Sequence, residues 1–290
     1  MTQAAAEDRC RAAGRRLRLV HLFPDLLSVY GDSGNLATLV LRAERRGIAV
    51  SIERITAEAA IVPEGDLFVV GGGQDRDQAA VEGALWRLGD GLVQQVQDGA
   101  AILAICGGYQ SLGHAYRTAR GATVRGPGLF DVTTIGAPTR FVGPVVARLL
   151  DPSLASPRST IVGFENHSGR TELGPRATAL ATVEIGKGNN GRDGTEGSLA
   201  VPGTDGCLGL RMGTYLHGPL LPRNPHLADA LIAAGLARSG QSIALAPLDD
   251  AEEWAAHDRF VARCRHPSLA DRLPAPIRRL VDPARNLIGF

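Results

Sequence analysis

Cys106 is the residue of this 290-residue chain whose neighbours best suit it to chemistry. It ends the apolar run of residues 101–105 and is followed by Gly107 and Gly108. A tight strand-to-helix turn exposes a nucleophile, and adjacent glycines leave room for a substrate. The start of the helix favours the thiolate, and the Gly107 N–H can face a developing oxyanion. The segment therefore predicts a cysteine nucleophile.

Two further segments supply groups that could work with this cysteine. Gly72 and Gly73 follow the apolar run of residues 67–70, and His217 lies in a turn far along the chain. The carboxyl ends of parallel strands meet at one edge of a sheet, so the glycine loop and Cys106 are expected to face one crevice. A histidine placed after the cysteine suits a thiol enzyme with His217 as the base.

Each of these features also has a structural interpretation. A lone buried cysteine is usually an inert small hydrophobe, and we predict that role for Cys10, Cys207 and Cys264, which lack the strand-Cys-Gly-Gly context. A histidine beside Gly-Pro can be a satisfied turn residue. The triple glycine matches neither the dinucleotide fingerprint nor a P-loop, so on its own it indicates only a tight turn.

The elements that must position these residues follow an α/β pattern. Apolar runs at residues 17–23, 49–55, 67–70 and 101–105 alternate with helical segments, which predicts βαβ units. Because some runs are apolar at every position, we expect a three-layer fold, with a mostly parallel central sheet and helices on both faces. Residues 121–212 change to strand-like pieces of a more antiparallel half, at 141–149, 159–164 and 180–184. We expect residues 186–197, with Asn190-Gly191, to form an exposed hairpin loop.

The chain divides into three predicted parts. Residues 1–16 form an N-terminal extension, residues 17–238 the main domain and residues 239–290 a partly helical C-terminal extension. Helices are predicted over residues 34–46, 222–236 and 249–264. The tail either packs on the surface or stays mobile.

Composition excludes several classes of protein. The 44% of apolar residues can fill a core, and 31 basic residues against 30 acidic ones leave no field to hold a nucleic acid. No transmembrane run or secretory h-region is present, and the four cysteines match neither a zinc site nor a disulfide framework. We expect a cytoplasmic protein without a metal site.

Five segments of the chain form a recognisable series. They are Tyr30-Gly31-Asp32-Ser33-Gly34-Asn35, Gly71-Gly72-Gly73-Gln74-Asp75, Cys106-Gly107-Gly108-Tyr109-Gln110, Gly163-Phe164-Glu165-Asn166-His167-Ser168-Gly169-Arg170-Thr171 and Gly213-Thr214-Tyr215-Leu216-His217-Gly218-Pro219. Together, in this order, they resemble class I glutamine amidotransferases of the cobyric acid synthase-like branch. Within that branch they are most similar to the glutaminase subunits of lipid II isoglutaminyl synthases, and the likeness covers about residues 17–236.

The resemblance implies hydrolysis of glutamine through a thioester on Cys106, with His217 as general acid and base. Gly107, Gly72 and Gly73 would hold the oxyanion. It further implies that Arg140 and Gln110 bind glutamine, with Asn166 and His167 beside them. Alternatively, Arg140 is an ordinary surface arginine, and Asn166 and His167 only shape the wall of the pocket.

One departure from the broader class concerns the group that orients the histidine. Many class I enzymes carry a glutamate two positions after it, whereas Gly218 and Pro219 follow His217 here. A histidine without an orienting acceptor loses control of its tautomer. We therefore expect a carboxylate from a partner chain, or from elsewhere in this chain, to complete the site.

The chain also lacks a P-loop, so the ATP-dependent step falls to another polypeptide. By resemblance the partner is a Mur-ligase-like synthetase subunit that uses ATP and Mg²⁺, and this chain needs no cofactor. The acceptor would be the D-glutamate of lipid II, which becomes D-isoglutamine in peptidoglycan biosynthesis. One alternative is an amidotransferase that serves a corrin precursor, such as a cobyrinic acid amide synthase. Another is a regulatory subunit without catalytic activity.

Overall fold

A mostly parallel sheet forms the centre of the computed structural model, which describes residues 14–28, 32–73, 75–119, 121–241 and 243–266. Its strand order is β11-β12-β4-β3-β1-β2, and every pair is parallel except β11 with β12. The strands are β1 (Arg16–Leu22), β2 (Ala49–Ile55), β3 (Leu67–Val70), β4 (Ala101–Ile105), β11 (Ser198–Ala200) and β12 (Arg211–Thr214). Every residue of β3 and β4 is buried, as expected of strands covered on both faces. The predicted fold class is confirmed.

Helices cover both faces of this sheet. They are α1 (Ser33–Glu44), α2 (Asp75–Gln97), α3 (Gly107–Ser111), α4 (Pro225–Arg238) and α5 (Ala251–Arg265). The helices α1 and α4 pack together, and α4 also lies on β1, β3 and β4. The connection from β1 through α1 to β2 and the connection from β3 through α2 to β4 run in opposite directions across the sheet. Because both crossovers are right-handed, α2 lies on the face opposite α1 and α4. The helix predicted from residue 222 begins at Pro225, since proline fits the first turn, where its missing N–H is not needed.

A second sheet follows α3 in the chain. Its strands are β5 (Ala115–Arg117), β6 (Thr123–Arg125), β7 (Val132–Leu149), β8 (Thr160–Leu173), β9 (Ala181–Ile185) and β10 (Thr195–Glu196). All of its pairs are antiparallel except β5 with β7, so the prediction of a more antiparallel half is correct. The strand predicted over residues 141–149 begins earlier, at Val132, and pairs with β8 across an irregularity between Gly136 and Phe141.

The hairpin between β9 and β10 is only partly exposed: the prediction of an exposed loop is correct for residues 186–187 and 191–193, but residues 188–190 are buried. Asn189 is fully buried and Asn190 nearly so. The Asn189 side chain donates to the Gly197 carbonyl at 2.9 Å and accepts from the Gly197 N–H at 3.0 Å. The glycine-rich sequence indicated the turn correctly, but it could not show that asparagine amides would replace backbone partners and let the loop enter the interior.

Two buried arginines hold the described part of the C-terminal extension to the rest of the protein: Arg42 in α1 and Arg46, two residues beyond its end. Arg42 forms ion pairs with Asp229 of α4 at 2.7 Å and with Asp250 of the extension at 2.6 Å. Arg46 donates to the Ala246 carbonyl at 2.7 Å. Beyond these contacts, α5 packs on β7 and β8. Residues 1–13, with Cys10, and residues 267–290 lie outside the described residues.

Arg42→Ala is expected to lower the free energy of unfolding by about 3 kcal/mol, because it removes the cation that pairs with Asp250 and one of the two cations that pair with Asp229. The Arg42 side chain is only 4% exposed, so water cannot replace it. Urea denaturation measures this loss. Arg148→Ala is the control, since Arg148 is half exposed in its pair with Glu184 and its loss should cost about 0–1 kcal/mol. Equal losses in the two variants would contradict the prediction.

Candidate active site

The Cys106 turn has a strained backbone. Cys106 lies between β4 and α3 with φ +49° and ψ −104°, a region that non-glycine residues rarely adopt and that costs about 1–3 kcal/mol. Its N–H donates to the Thr214 carbonyl at 2.8 Å, which ties the turn to β12. A Cβ on Gly108 would lie 2.8 Å from the Gly71 carbonyl oxygen, so the two glycine motifs approach at backbone contact. The helix that follows has only five residues.

His217 lies beside Cys106, although 111 residues separate them in the chain. The residue follows β12, and its backbone pairs with Phe164 of β8 through hydrogen bonds of 2.8 and 3.1 Å. A Cβ on Gly72 would lie 2.7 Å from His217 Cε1 and 3.2 Å from Cys106 Cβ. The imidazole and the cysteine therefore flank the same glycine at the carboxyl edge of the central sheet.

Asp32 is the carboxylate that faces the histidine. Its Oδ1 lies 3.1 Å from His217 Nδ1, and its Oδ2 accepts from the Gly72 N–H at 2.6 Å. Both side chains are fully buried. Burial disfavours the imidazolium, but the negative charge of Cys106 and hydrogen bonds to Asp32 and Cys106 outweigh it and raise the pKa of His217 to about 10. The surroundings therefore favour a positively charged imidazole.

The position of Asp32 bears on the question of which carboxylate orients the histidine, which the sequence leaves open. A carboxylate was expected from a partner or from elsewhere in this chain, and the structure places one from this chain against His217. Asp32 had been noted only as part of a family motif. It lies just before α1, on the connection that follows β1, and such connections open at the same sheet edge as Cys106. That topological rule was the signal that could have identified it.

The three predicted oxyanion donors differ in whether their N–H groups already have an acceptor. The Gly72 N–H is already taken by Asp32, so the structure does not support the prediction that it binds an oxyanion. Gly73 and Gly107 lie against each other, since a Cβ on Gly107 would be 2.7 Å from the Gly73 nitrogen. Their N–H groups stay the predicted donors.

Gly72→Ala is expected to reduce turnover about 100-fold while leaving the fold intact. The added methyl would contact His217 Cε1 at 2.7 Å and push the imidazole away from Cys106, and misplacement by about 1 Å costs that much. Steady-state rates of glutamate release test this. Gly143→Ala is the control because its Cβ would meet no atom within 4 Å. An unchanged rate in Gly72→Ala would show that the imidazole does not need this space.

Gln110 lies inside the protein. Its Oε1 accepts from Gln78 at 2.9 Å, and its Nε2 donates to the Tyr215 hydroxyl at 3.0 Å. The Tyr215 hydroxyl also lies 2.6 Å from Thr171 Oγ1. Both ends of the Gln110 amide are therefore engaged in a buried network, which differs from the predicted direct contact with glutamine.

Arg140, Asn166 and His167 come together on neighbouring strands of the second sheet. Arg140 is exposed and donates to the Asn166 side chain at 2.9 Å and to its carbonyl at 2.7 Å. His167 is buried and stacks on Tyr215 with ring centroids 3.6 Å apart. Burial lowers the pKa of His167, which keeps its ring neutral. His167 thus packs in the interior behind the Cys106 turn, whereas Arg140 and Asn166 lie at the surface.

Comparison with known proteins places the chain in a family. Residues 18–225 match the CobB/CobQ-like glutamine amidotransferase domain, and the chain belongs to this family. None of the helices in the described part of the chain is long and apolar enough to cross a membrane.

The family includes relatives that match this chain over nearly their whole length. The lipid II isoglutaminyl synthase (glutamine-hydrolyzing) subunit GatD of Staphylococcus aureus is 35% identical, with 85% of this chain and 96% of GatD covered. GatD of Streptococcus pneumoniae is 32% identical, with 81% and 86% covered. Cobyric acid synthase of Rhodobacter capsulatus is 36% identical over 52% of this chain, but that match covers only 28% of its own length.

Proposed function

We propose that the chain is the glutaminase subunit of a lipid II isoglutaminyl synthase and that Cys106, His217 and Asp32 carry out the hydrolysis. The observation that carries this proposal is the placement of all three side chains at one sheet edge, with His217 between a thiol and a carboxylate. Identity of 35% and 32% to GatD subunits supports the choice of this particular synthase.

The first half of the reaction forms a thioester. The Cys106 thiolate attacks the side-chain amide carbon of glutamine, and the carbonyl π electrons move onto oxygen. The N–H groups of Gly73 and Gly107 hold this oxyanion. The imidazolium of His217 gives its proton to the amide nitrogen, the carbon–nitrogen bond breaks, and ammonia leaves a γ-glutamyl thioester behind.

The second half regenerates the enzyme. Neutral His217 takes a proton from water, and the resulting hydroxide attacks the thioester carbon. The carbon–sulfur bond breaks, glutamate leaves, and the thiolate returns beside the imidazolium. Asp32 orients the ring throughout by holding Nδ1–H and stabilises its positive charge. A catalytic histidine held in this way presents Nε2 to the reacting atoms.

Arg140 and Asn166 supply the polar surface for binding glutamine. The guanidinium is exposed and already fixed by two hydrogen bonds to Asn166, so it is oriented before a ligand arrives. Its remaining N–H groups suit the α-carboxylate, which arginine can bind in a bidentate fashion. Gln110 and His167 stabilise the wall of the pocket through Tyr215.

The ammonia serves a separate ATP-dependent subunit of the Mur-ligase type, which amidates the D-glutamate of lipid II. Glutamine hydrolysis is useful only where an activated acceptor captures ammonia before it is protonated in bulk water. The relatives of this length are named as subunits, in agreement with a partner that holds ATP and Mg²⁺.

The test is to co-purify the chain with its partner and supply glutamine, ATP, Mg²⁺ and lipid II. We expect lipid II that is one mass unit lighter, as expected when a carboxyl becomes an amide, and one glutamate released for each amide formed. Transfer to a corrin precursor instead would assign the chain to a cobyrinate-type amidotransferase. Full amidation with Cys106→Ala, without added ammonia, would reduce the chain to a regulatory role.

A further inference from the structure

Glu196 is a fully buried acid outside the groups already assigned. It ends β10, at the edge of the second sheet, and its Oε1 accepts from Thr214 Oγ1 at 2.6 Å and from the Tyr215 N–H at 2.9 Å. Both donors belong to the segment that leads from β12 to His217. The carboxylate is therefore hydrogen-bonded to the segment that immediately precedes His217.

Thr214 links Glu196 to two further backbone groups. Its hydroxyl, which donates to Glu196, also accepts from the Leu216 N–H at 3.0 Å, one residue before His217. Its carbonyl accepts from the Cys106 N–H at 2.8 Å. A short chain of hydrogen bonds thus joins Glu196 to the backbones of both the cysteine and the histidine.

We propose that Glu196 is a positioning residue, which fixes the Thr214–Leu216 backbone and so sets the His217 imidazole against Cys106. This inference rests on the proposed glutaminase function. Glu196 touches neither substrate nor reacting atoms, and it acts only through the segment that it holds.

The second carboxylate oxygen of Glu196 distinguishes a positioning role from a purely structural one. Among the described residues, Oε2 has no hydrogen-bond partner, so an ordinary acceptor such as glutamine could make the same two contacts at lower cost. Burial raises the pKa of Glu196 to about 7, against the hydrogen bonds from Thr214 and Tyr215, and the nearby negative charge of Glu165 adds to the rise. The Tyr109 hydroxyl is also close enough to interact with Glu196, but burial raises the pKa of Tyr109 and keeps it uncharged.

Protonation weakens a carboxylate as a hydrogen-bond acceptor. We therefore expect the turn to be held more firmly above pH 7 than below it. The turnover number should fall about tenfold as the pH drops through 7, which is the loss of roughly one charge-assisted hydrogen bond. This limb is separate from any that involves His217, since the pKa of His217 is raised to about 10.

The experiment compares Glu196→Gln, Glu196→Ala and Asn189→Ala in the complete complex. Asn189 is the matched control because it is equally buried and stabilises the same hairpin, while its side-chain hydrogen bonds go to Thr195 and Gly197 rather than to the Thr214–Leu216 backbone. We expect Glu196→Ala to lower kcat about 100-fold with little change in KM. In Glu196→Gln, kcat should be about tenfold lower at pH 8 and nearly constant from pH 6 to 8. Asn189→Ala should retain the wild-type kcat and pH profile, with a lower Tm.

Two results would overturn the inference. The first is a Glu196→Gln enzyme with wild-type kcat and an unchanged pH profile, and the second is a loss of kcat in Asn189→Ala equal to that in Glu196→Ala. If Glu196→Ala does not fold, the glutamine variant alone decides. Alkylation by a glutamine-mimicking chloroketone keeps the proposed function separate: the Gln variant should still be labelled at Cys106, whereas a wild-type chain that is neither labelled nor active fails as a glutaminase.

Discussion

We expect Cys106→Ser to reduce the rate of glutamine hydrolysis by at least about 10⁴-fold. A serine hydroxyl at this position stays protonated near neutral pH, so the turn loses the anion that attacks the amide. The imidazolium of His217 loses its charge partner at the same time, because the negative charge of Cys106 contributes to its raised pKa. Ammonia release, followed through reductive amination of 2-oxoglutarate, measures the effect.

Cys264→Ser is the matched control for this substitution. Cys264 lies in α5, half-buried and away from the site, so its replacement should leave the rate within about twofold of the wild type. A diazoketone that mimics glutamine should modify Cys106 alone and block turnover in the wild-type and Cys264→Ser proteins. Ammonia production that survives in Cys106→Ser would show that another group is the nucleophile.

Asp32→Asn is expected to lower the turnover number by about three to four orders of magnitude, since the same change in a serine protease triad has an effect of that size. The carboxylate accepts from His217 Nδ1–H and from the Gly72 N–H. An asparagine amide offers one oxygen and must turn its NH₂ group toward one of these two donors. The variant therefore either stabilises the wrong histidine tautomer or breaks the glycine loop.

The pH dependence of this variant gives a second measurement. A hydrogen bond and a negative charge from Asp32 both raise the pKa of His217, so their loss should lower the pKa of the imidazolium below the wild-type value of about 10. Imidazole resonances recorded through a pH titration would show the shift. Asp25→Asn is the control, since Asp25 is an exposed carboxylate on the same connection after β1.

The isolated chain decides the source of the orienting carboxylate. If Asp32 fulfils this role, the chain should hydrolyse glutamine measurably without its partner, and Asp32→Asn should abolish that activity. Wild-type rates in Asp32→Asn, both alone and in the complex, would contradict the prediction. The carboxylate would then have to come from the partner chain.

Much of the central sheet was predictable because its strands carry a strong signal. β3 and β4 are short runs that are apolar at every position and end in glycines, and few structures other than a buried parallel strand suit such runs. The second sheet was harder to delimit. In the first half of β7, Thr134 is buried and Ile135 is half exposed, so the hydrophobicity of the sequence does not follow the burial, and it is the pairing with β5 and β8 that defines the strand.

The site divides in the same way. Cys106 was identifiable because its glycine neighbours answer a local need, namely close approach of the backbones at a strained turn. The contact between Asp32 and His217 spans 185 residues, and the one between Glu196 and Thr214 depends on a loop entering the interior. Neither contact leaves a periodic trace in the sequence. Gln110 shows the converse, because a family position predicted its importance but not the buried network in which it acts.

The ion pairs at Arg42 have a practical consequence for recombinant work. A fragment cut after residue 241, where the central sheet and α4 are already complete, would lack Asp250 and the Ala246 carbonyl. The guanidinium groups of Arg42 and Arg46, which contact the C-terminal extension in the full chain, would then share the single carboxylate of Asp229. A fragment that ends at residue 241 would thus lose part of the negative charge that neutralises these arginines. Fragments that reach at least residue 266 are therefore the better choice for expression and crystallisation.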